Sequence, residues 1–420
     1  LQYFGPGKLE FWPSDLRAPE NKQKHLDGHS DFAGHSVHYS WEGTLLCDPI
    51  TRLYELTGKK KYLEWSQWVV SNIDKWSGWD AFSRLDSVAD GTLGVDKLQP
   101  YVHSHTFHMN FMGFLRLYRI TGDKTLLRKV SGAWDDIHER QMYITGGVSV
   151  AEHYEHDYVK PLSGNIVETC ATMSWMQLTQ QLLELTGESK YADAMERLMI
   201  NHVFAAQDCE SGVCRYHTAP NGSKPDGYFH GPDCCTASGH RIISMLPTFI
   251  YAEKGKEFYI NQYIGKDFAF EITGNYPESE NMQLTIVSEK AKNKTLNLRI
   301  PSWCEHPEIK VNGENIADVK PGAYLKLSRK WTKGDKVSIT FPMEEKWVSR
   351  SHHSKYVSYK LAGGEIMYKE EPTDRIPYAF VRGPIVYSLD MVWNKQLCND
   401  DVNMDQDIRM NTTMKPTLIN

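Results

Sequence analysis

The spacing of apolar residues changes once along the chain, near residue 256. Before that point apolar residues recur three and four positions apart, which is typical of amphipathic helices. This spacing, together with capping signals, predicts about seven helices. After residue 256 apolar and polar residues alternate in short runs between turns, which is typical of β-strands. The chain is therefore predicted to be an α+β multidomain protein, helical first and an antiparallel β-sandwich second.

A repeated segment lies within the helical part. The three copies are LYELTGKKKYL, LYRITGDKTLL and LLELTGESKYA, and their glycines are Gly58, Gly122 and Gly187. In each copy an apolar stretch ends at Thr-Gly, where glycine can take the left-handed conformation that ends a helix. Helix pairs at a regular period predict a solenoid or an (α/α)6-type barrel. Because six hairpins need twelve helices, we expect either an incomplete barrel or a chain that begins partway into it.

Six alternating segments support the β-sandwich. They are QLTIVS, TLNLRI, EIKVNG, AYLKLSRKW, KVSITF and PIVYSLD. Turn sequences such as VNGEN and TKGDK separate them. The predicted domains are a helical barrel over residues 1–255, a β-sandwich over 256–395 and an irregular tail over 396–420.

Composition narrows the possible partners. The net charge of −6 includes no basic surplus, which argues against nucleic acid or an anionic membrane as a partner. No apolar run reaches the 18 residues or so of a membrane span. The chain contains 12 tryptophans and 22 tyrosines, which fit either a large core or a surface that stacks sugar rings. Because it starts at Leu1, its true N-terminus could be absent, and bacterial cytoplasm, periplasm and secretion all stay open.

Two adjacent cysteines, Cys234 and Cys235, stand in the stretch GPDCCTASGH, which resembles a loop that enters a helix. The segment VETC supplies Glu168 and Cys170 at another predicted helix start. Three thiolates and one carboxylate make a complete donor set for tetrahedral zinc. The alternative is that these are ordinary buried thiols, since cysteine also behaves as a small apolar residue. A disulfide between adjacent cysteines is disfavoured by ring strain.

A second polar cluster follows a double glycine in YITGGVSVAEHYEHDYVKP. Its ionisable residues are Glu152, His153, Glu155, His156 and Asp157. They are consistent with a solvated loop, with a metal site built from the histidines, or with a general acid. The residues alone do not choose among these three interpretations.

Several segments resemble glycoside hydrolase family 127 and its relatives, the β-L-arabinofuranosidase group. In the helical part these are MYITGG, VETCA, YADAMERLMIN and CCTASGHRIISMLPTFIYA. In the strand-rich part LRIPSWC, VNG, RKWTKGDKV and RGPIVYS are similar to that group's β-sandwich. The resemblance covers most of residues 100 to 390. It implies a catalytic helical barrel followed by sandwich domains, and a retaining hydrolase with a zinc-bound cysteine nucleophile.

The resemblance also implies roles for particular residues. Glu168, Cys170, Cys234 and Cys235 match the zinc ligands, and the first of the adjacent cysteines, Cys234, matches the nucleophile. Such a thiolate would act in the two-step retaining scheme in place of the usual carboxylate.

Three further residues are assigned through the same resemblance. Glu152 matches the family's acid/base glutamate, and Glu155 is a weaker competitor. His105 in HSHTFH and Tyr216 in CRYHTAP match residues that contact substrate, although packing roles fit them equally well.

The chain departs from the family's pattern around the presumed pocket. The expected HPEIE segment is not evident, and Thr236 and Ala237 replace the usual prolines after the double cysteine. A β-L-arabinofuranoside is the expected substrate, with another pentose or an uncommon plant sugar as alternatives. Two other classes remain: a carbohydrate-binding or structural protein with a purely structural zinc, and a polysaccharide lyase or unsaturated-sugar hydrolase. A homodimer is expected only by analogy.

Overall fold

The computed structural model describes eleven stretches of the chain. They are residues 43–77, 81–98, 103–150, 152–154, 164–208, 210–220, 234–267, 269–349, 359–361, 364–366 and 378–388. Residues Leu1–Val386 form one compact unit, and Tyr387–Asn420 form another, of which only the first two residues are described.

Helices occupy the first part of the described chain. Those of nine residues or more are α1 (Cys47–Thr57), α2 (Lys60–Ser77), α3 (Ala81–Ala89), α4 (Ser104–Thr121), α5 (Lys124–Asp136), α6 (Thr169–Thr186), α7 (Ser189–Leu198) and α8 (Cys234–Met245). Single π-helical turns, Ile137–Gln141 and Met199–Val203, extend α5 and α7. No helix within the described residues combines the length and apolar character needed to cross a membrane.

The Thr-Gly repeat ends helices as predicted. Gly58, Gly122 and Gly187 follow α1, α4 and α6 with φ of 65°, 73° and 72°. In each case the glycine N–H donates to the carbonyl four residues earlier, which closes the last turn. A residue with a Cβ would be strained there, so the glycines set the helix lengths.

The helices pack around one apolar core. Its largest buried side chains include Trp134 of α5 and Trp175 of α6, whose rings stack with centroids 5.3 Å apart. Helix α6 contacts α4, α7 and α8, so it lies at the centre of the helical part. Most of its side chains are buried, including small polar ones such as Thr172 and Ser174, as expected for a central helix. Closure of the helices into six hairpins stays a prediction.

Strands follow from residue 251. They are β1 (Tyr251–Lys254), β2 (Glu257–Ile260), β3 (Phe270–Gly274), β4 (Asn281–Ile286), β5 (Thr295–Ile300), β6 (Glu308–Val311), β7 (Glu314–Asn315), β8 (Ala323–Ser328), β9 (Lys336–Thr340), β10 (Glu345–Ser349), β11 (Tyr359–Leu361), β12 (Gly364–Ile366), β13 (Tyr378–Arg382) and β14 (Ile385–Tyr387). Each of the six predicted segments overlaps one of these strands.

The strands form four sheets. A four-stranded sheet has the order β1-β2-β5-β8 and a five-stranded sheet the order β3-β4-β9-β6-β7. Smaller sheets are β10-β13-β14 and the hairpin β11-β12. The β2–β5 pair is parallel, whereas the other paired registers of these two larger sheets are antiparallel. A helical domain followed by antiparallel sheets is thus confirmed, with one parallel pair that strand alternation did not predict.

A buried ionic network joins the helical part to the four-stranded sheet. Arg299 on β5 is fully buried and bonds Asp193 and Glu196 of α7. The indole N–H of Trp303 donates to Glu196 at 3.0 Å, and the hydroxyl of Tyr276 donates to the same carboxylate. Each charge in this network is therefore paired and hydrogen-bonded, as a buried charge must be.

Candidate active site

Three helices begin at one place. Helix α4 starts after His103, α6 starts after Glu168, and α8 starts at Cys234. The first turn of a helix leaves backbone N–H groups unpaired and carries a partial positive charge. Three such ends at one site favour anionic side chains, carboxylates and thiolates in particular.

The four predicted ligands lie together at this convergence. One donor atom each from Glu168, Cys170, Cys234 and Cys235 lies within 4.8 Å of all the others. Glu168 Oε1 is 2.6 Å from Cys170 Sγ and 3.6 Å from Cys235 Sγ. The adjacent sulfurs of Cys234 and Cys235 are 3.9 Å apart. Cys234 is exposed, whereas the other three residues are buried.

The four residues of the cluster differ in how readily they lose a proton. Contacts with Cys170 and Cys235 lower the pKa of Cys234, while the pKa values of these two neighbours are raised. Burial raises the pKa of Glu168 to about 7. Cys234 is therefore the thiol that loses its proton first, and it is also the one that faces solvent.

The arrangement fits a zinc ion. Tetrahedral zinc with Zn–S bonds of about 2.3 Å places its sulfurs about 3.8 Å apart, close to the observed separation of Cys234 and Cys235. Glu168 supports the fit because the residue is fully buried and its Oε1 contacts the thiols of Cys170 and Cys235. Such a carboxylate is costly unless a cation or a donor neutralises it. Glu168, Cys170, Cys234 and Cys235 could therefore hold zinc.

Glu152 lies beside this cluster. The hydroxyl of Tyr216 donates to Glu152 Oε1 at 2.5 Å, and the same hydroxyl is 3.9 Å from Cys234 Sγ. His103 Nε2 is 3.5 Å from Glu152 Oε2. Burial alone would raise the pKa of Glu152, but the hydrogen bonds from His103 and Tyr216 outweigh it and lower that pKa to about 2. Glu152 is thus ionised at neutral pH, and Tyr216 contacts both its carboxylate and the exposed thiol of Cys234.

Backbone strain is concentrated around the same residues. Ser149, Glu152 and Val167 have φ of 94°, 70° and 54°, which non-glycine residues rarely adopt. Glu152 is held in this conformation because its carbonyl accepts bonds from both the N–H and the hydroxyl of Ser104, at 2.8 and 2.9 Å. Ser149 Oγ accepts the N–H of Glu168 at 3.0 Å. Such strain persists where the surroundings over-determine a functional geometry.

The remaining predicted residues lie close by. His105 Nδ1 is 3.0 Å from the carbonyl oxygen of Cys170, and burial lowers the pKa of His105 to about 4, so its ring is neutral at pH 7. Tyr216 has the contacts given above. Glu155, the competing acid/base residue, lies outside the described residues. His103 was not among the predicted site residues, yet its Nε2 lies 3.5 and 3.8 Å from the carboxylates of Glu152 and Glu168.

Comparison with known families agrees with this geometry. Residues 33–248 match the model of the β-L-arabinofuranosidase GH127 catalytic domain, and residues 257–343 match that of the GH127 middle domain. The chain belongs to glycoside hydrolase family 127. In this GH127 chain the first match contains all four residues of the thiol–carboxylate cluster, and the second contains β2 to β9.

Individual relatives are similar over much of this GH127 chain. A non-reducing end β-L-arabinofuranosidase of Bifidobacterium longum subsp. longum is 24% identical over 408 residues, covering 85% of this chain and 59% of its own length. A solved GH127 β-L-arabinofuranosidase from Geobacillus stearothermophilus T6 is 25% identical with a TM-score of 0.59, covering 82% of this chain and 58% of its own. A solved GH127 β-arabinofuranosidase is also 25% identical, with a TM-score of 0.61 and coverages of 80% and 54%. The chain thus spans less than two thirds of these relatives.

Proposed function

We propose that this protein is a retaining glycoside hydrolase that removes terminal β-L-arabinofuranosyl residues, or a related uncommon plant sugar, from a glycan. The proposal rests on one observation: a four-donor zinc-type cluster that includes an exposed thiol, Cys234, lies beside the carboxylate of Glu152. The choice of sugar follows from membership of the family and from the β-L-arabinofuranosidase activity by which its relatives are named.

In the first step the Cys234 sulfur attacks the anomeric carbon of the sugar, and the bond to the leaving oxygen breaks. Glu152 gives a proton to that oxygen, so the aglycone leaves as a neutral alcohol. Zinc held by Glu168, Cys170, Cys234 and Cys235 would keep the sulfurs deprotonated at neutral pH. The thiolate rather than the thiol is the effective nucleophile.

In the second step water replaces sulfur at the anomeric carbon. Glu152, now a carboxylate, takes a proton from the attacking water, and Cys234 leaves as a thiolate. Two displacements at one carbon restore its configuration, which makes the enzyme retaining. The low pKa of Glu152 suits this step because the residue must be ionised to act as a base.

The first step requires a protonated Glu152, and His103 is the proposed source of that proton. Burial would lower its pKa, but the hydrogen bond to Glu152 and the charge of Glu168 outweigh burial, and the pKa is raised. A proton bound by the His103–Glu152 pair in the open pocket therefore lies on the imidazole. A bound sugar excludes water from Glu152 and raises its pKa, which moves this proton toward the carboxylate.

His105 and Tyr216 are the proposed substrate contacts. At neutral pH a neutral imidazole and a phenol both donate and accept hydrogen bonds, which suits an uncharged sugar that presents several hydroxyls. We also assign the catalytic domain to residues 1–255 as part of an (α/α)6-type barrel, the sandwich to 256–395 and the tail to 396–420. A homodimer is consistent with this assignment.

The decisive test is replacement of Cys234 by serine, with Cys304→Ser as the control because Cys304 is a buried thiol of the sandwich core. On an aryl β-L-arabinofuranoside, Cys234→Ser should lower kcat by about 10³-fold or more, since the alcohol is far weaker as a nucleophile. The fold, judged by circular dichroism, should remain. Unchanged turnover would remove the nucleophile assignment and favour the alternative, a carbohydrate-binding or structural protein with a structural zinc.

A further inference from the structure

The two carboxylate oxygens of Glu168 face different groups. Oε1 lies against the thiols of Cys170 and Cys235, whereas Oε2 lies 3.8 Å from His103 Nε2. Glu168 is fully buried, and Oε2 has no hydrogen-bond partner among the described residues. Leaving a buried acceptor unpaired costs about 1–3 kcal/mol, so this oxygen is suited to a bound cation or donor.

Glu152 supplies a third donor at the same place. Its Oε1 accepts the hydroxyl of Tyr216, and its Oε2 lies 3.5 Å from the same imidazole nitrogen of His103. One donor atom each from His103, Glu152 and Glu168 lies within 4.8 Å of the other two. One imidazole and two carboxylates form the kind of donor set that binds zinc while leaving a position for water.

We infer that His103, Glu152 and Glu168 form a second cation site, which takes a divalent transition metal ion such as zinc. Glu168 bridges this site to the thiolate cluster, with one oxygen toward each ion. Carboxylate bridges of this kind hold pairs of metal ions about 3.5–4 Å apart in known two-metal sites.

Charge favours a second cation. Three thiolates and one carboxylate contribute −4, and one zinc ion contributes +2, so the loaded thiolate cluster carries −2 beside the carboxylate of Glu152. Once His103 has lost its proton to serve as a ligand, a second divalent ion neutralises this excess in a largely buried place, where uncompensated charge is costly.

One contact sets a limit on the affinity. His103 Nδ1 accepts the N–H of Thr106 at 3.4 Å and so caps α4. An ion on Nε2 requires the remaining imidazole proton to lie on Nδ1, which removes this long contact at a cost of about 1 kcal/mol. The second ion should therefore bind more weakly than the first and exchange with solution.

The consequence for activity rests on the proposed function. An ion bound to Glu152 Oε2 prevents that carboxyl group from exchanging protons with the leaving group or with water. Zinc beyond one equivalent should therefore inhibit hydrolysis, and a weak chelator that removes only the exchangeable ion should restore it.

The test counts zinc per chain by equilibrium dialysis of the full chain against buffered free zinc. The wild type should bind two ions, one of them retained on a desalting column. His103→Gln and Glu152→Gln should each bind one. The control His306→Gln, which changes an exposed histidine, should still bind two. A single ion in the wild type, or two ions in both site variants, would overturn the inference.

Cobalt substitution gives an independent readout. The first equivalent of Co²⁺ should produce the near-ultraviolet charge-transfer absorption of thiolate ligation, and the second should add none because its donors are nitrogen and oxygen. Growth of that absorption through two equivalents would contradict the assignment. Because these measurements do not use substrate, they succeed or fail independently of whether Cys234→Ser abolishes turnover. The second variant, Glu152→Gln, keeps the test valid if loss of the His103 cap prevents folding.

Discussion

The molecule contains two ionic clusters that differ in how completely their charged groups are paired. At the junction of helix and sheet, Arg299 is held by two carboxylates, and Glu196 also accepts bonds from a tryptophan and a tyrosine. At the helix starts, Glu168 keeps one oxygen unpaired, and neighbouring residues adopt left-handed backbone conformations. Both clusters are charged and largely buried, yet among the described residues only the first provides a partner for each of its charged groups.

This difference indicates that the first cluster stabilises the fold and that the second is suited to bind a ligand. A satisfied network fixes one arrangement and has nothing left to offer a ligand. A bound ligand can stabilise an unsatisfied network, and a cation would suit this one because its donors are thiols and carboxylates. Whether the buried polar groups have hydrogen-bond or ion-pair partners therefore distinguishes the candidate active site from the interdomain contact more clearly than burial does.

The largest effect should come from Glu152→Gln at the unsatisfied cluster. Hydrolysis of an alkyl or sugar aglycone should fall by about 10³-fold, equivalent to about 4 kcal/mol, because general acid catalysis is lost. An aryl substrate with a good leaving group should retain its first step and release a burst of phenol. Equal losses for both substrates, measured in stopped flow, would place the acid elsewhere.

At the satisfied cluster, Arg299→Met should lower the free energy of unfolding by about 3 kcal/mol or more. The substitution leaves Glu196 and Asp193 buried without their cation. Urea unfolding measures the change, and Arg329→Met, at an exposed site, is the matched control. Below the unfolding transition kcat should be unchanged. Loss of zinc from folded Arg299→Met protein would show that the two clusters are coupled.

Glu168→Gln should alter the pH dependence of the zinc-free chain. The pKa of Glu168 is raised by burial to about 7, so its contribution to stability is full below about pH 4.5 and is lost as the pH rises through 7. Glutamine cannot ionise, and the zinc-free variant should therefore exceed the zinc-free wild type at pH 8 by at most about 3 kcal/mol. Urea unfolding at pH 5 and 8 after chelation measures this difference, which should shrink at the lower pH.

The smallest effect should come from Gly147→Ala, compared with Gly132→Ala as a control for loss of stability alone. A Cβ on Gly147 would lie 2.2 Å from Val167 Cγ1, next to Glu168, and one on Gly132 would lie 2.4 Å from the backbone of Ala89. Gly147→Ala and Gly132→Ala should each cost about 1–3 kcal/mol by overpacking. Only Gly147→Ala should weaken zinc retention in competition with a chelator. Equal retention would mean that the backbone around Val167 does not position the ligand.

Local chemistry made much of the fold predictable. Each Thr-Gly signal ended a helix because the left-handed cap depends on residues within one turn. Strand segments such as TLNLRI were found because alternation is a property of the strand itself. Sheet order was not predictable, since the parallel β2–β5 pair joins segments that other strands separate in the chain.

The site was predictable only in part. The four-donor set followed from residue types, but its match to a catalytic pattern came from the family resemblance. The sequence alone does not distinguish the roles of His103 and His105. The extended backbone at His103 makes this residue the cap of α4, and its ring therefore lies between two carboxylates. Strain at Glu152 and Val167 leaves no sequence signal, because neither residue is a glycine.

Because three helices start at one site, amide hydrogen exchange would detect a metal ion bound there. First-turn amides lack carbonyl partners within their own helix, so they are ordinarily the earliest to exchange with deuterated solvent. At α6 and α8 these amides adjoin Glu168 and the clustered cysteines, and a cation bound there would hold the two first turns in place. Deuterium uptake at residues 169–172 and 235–238 should slow together on loading, so peptide mass spectrometry can report occupancy without any sugar present.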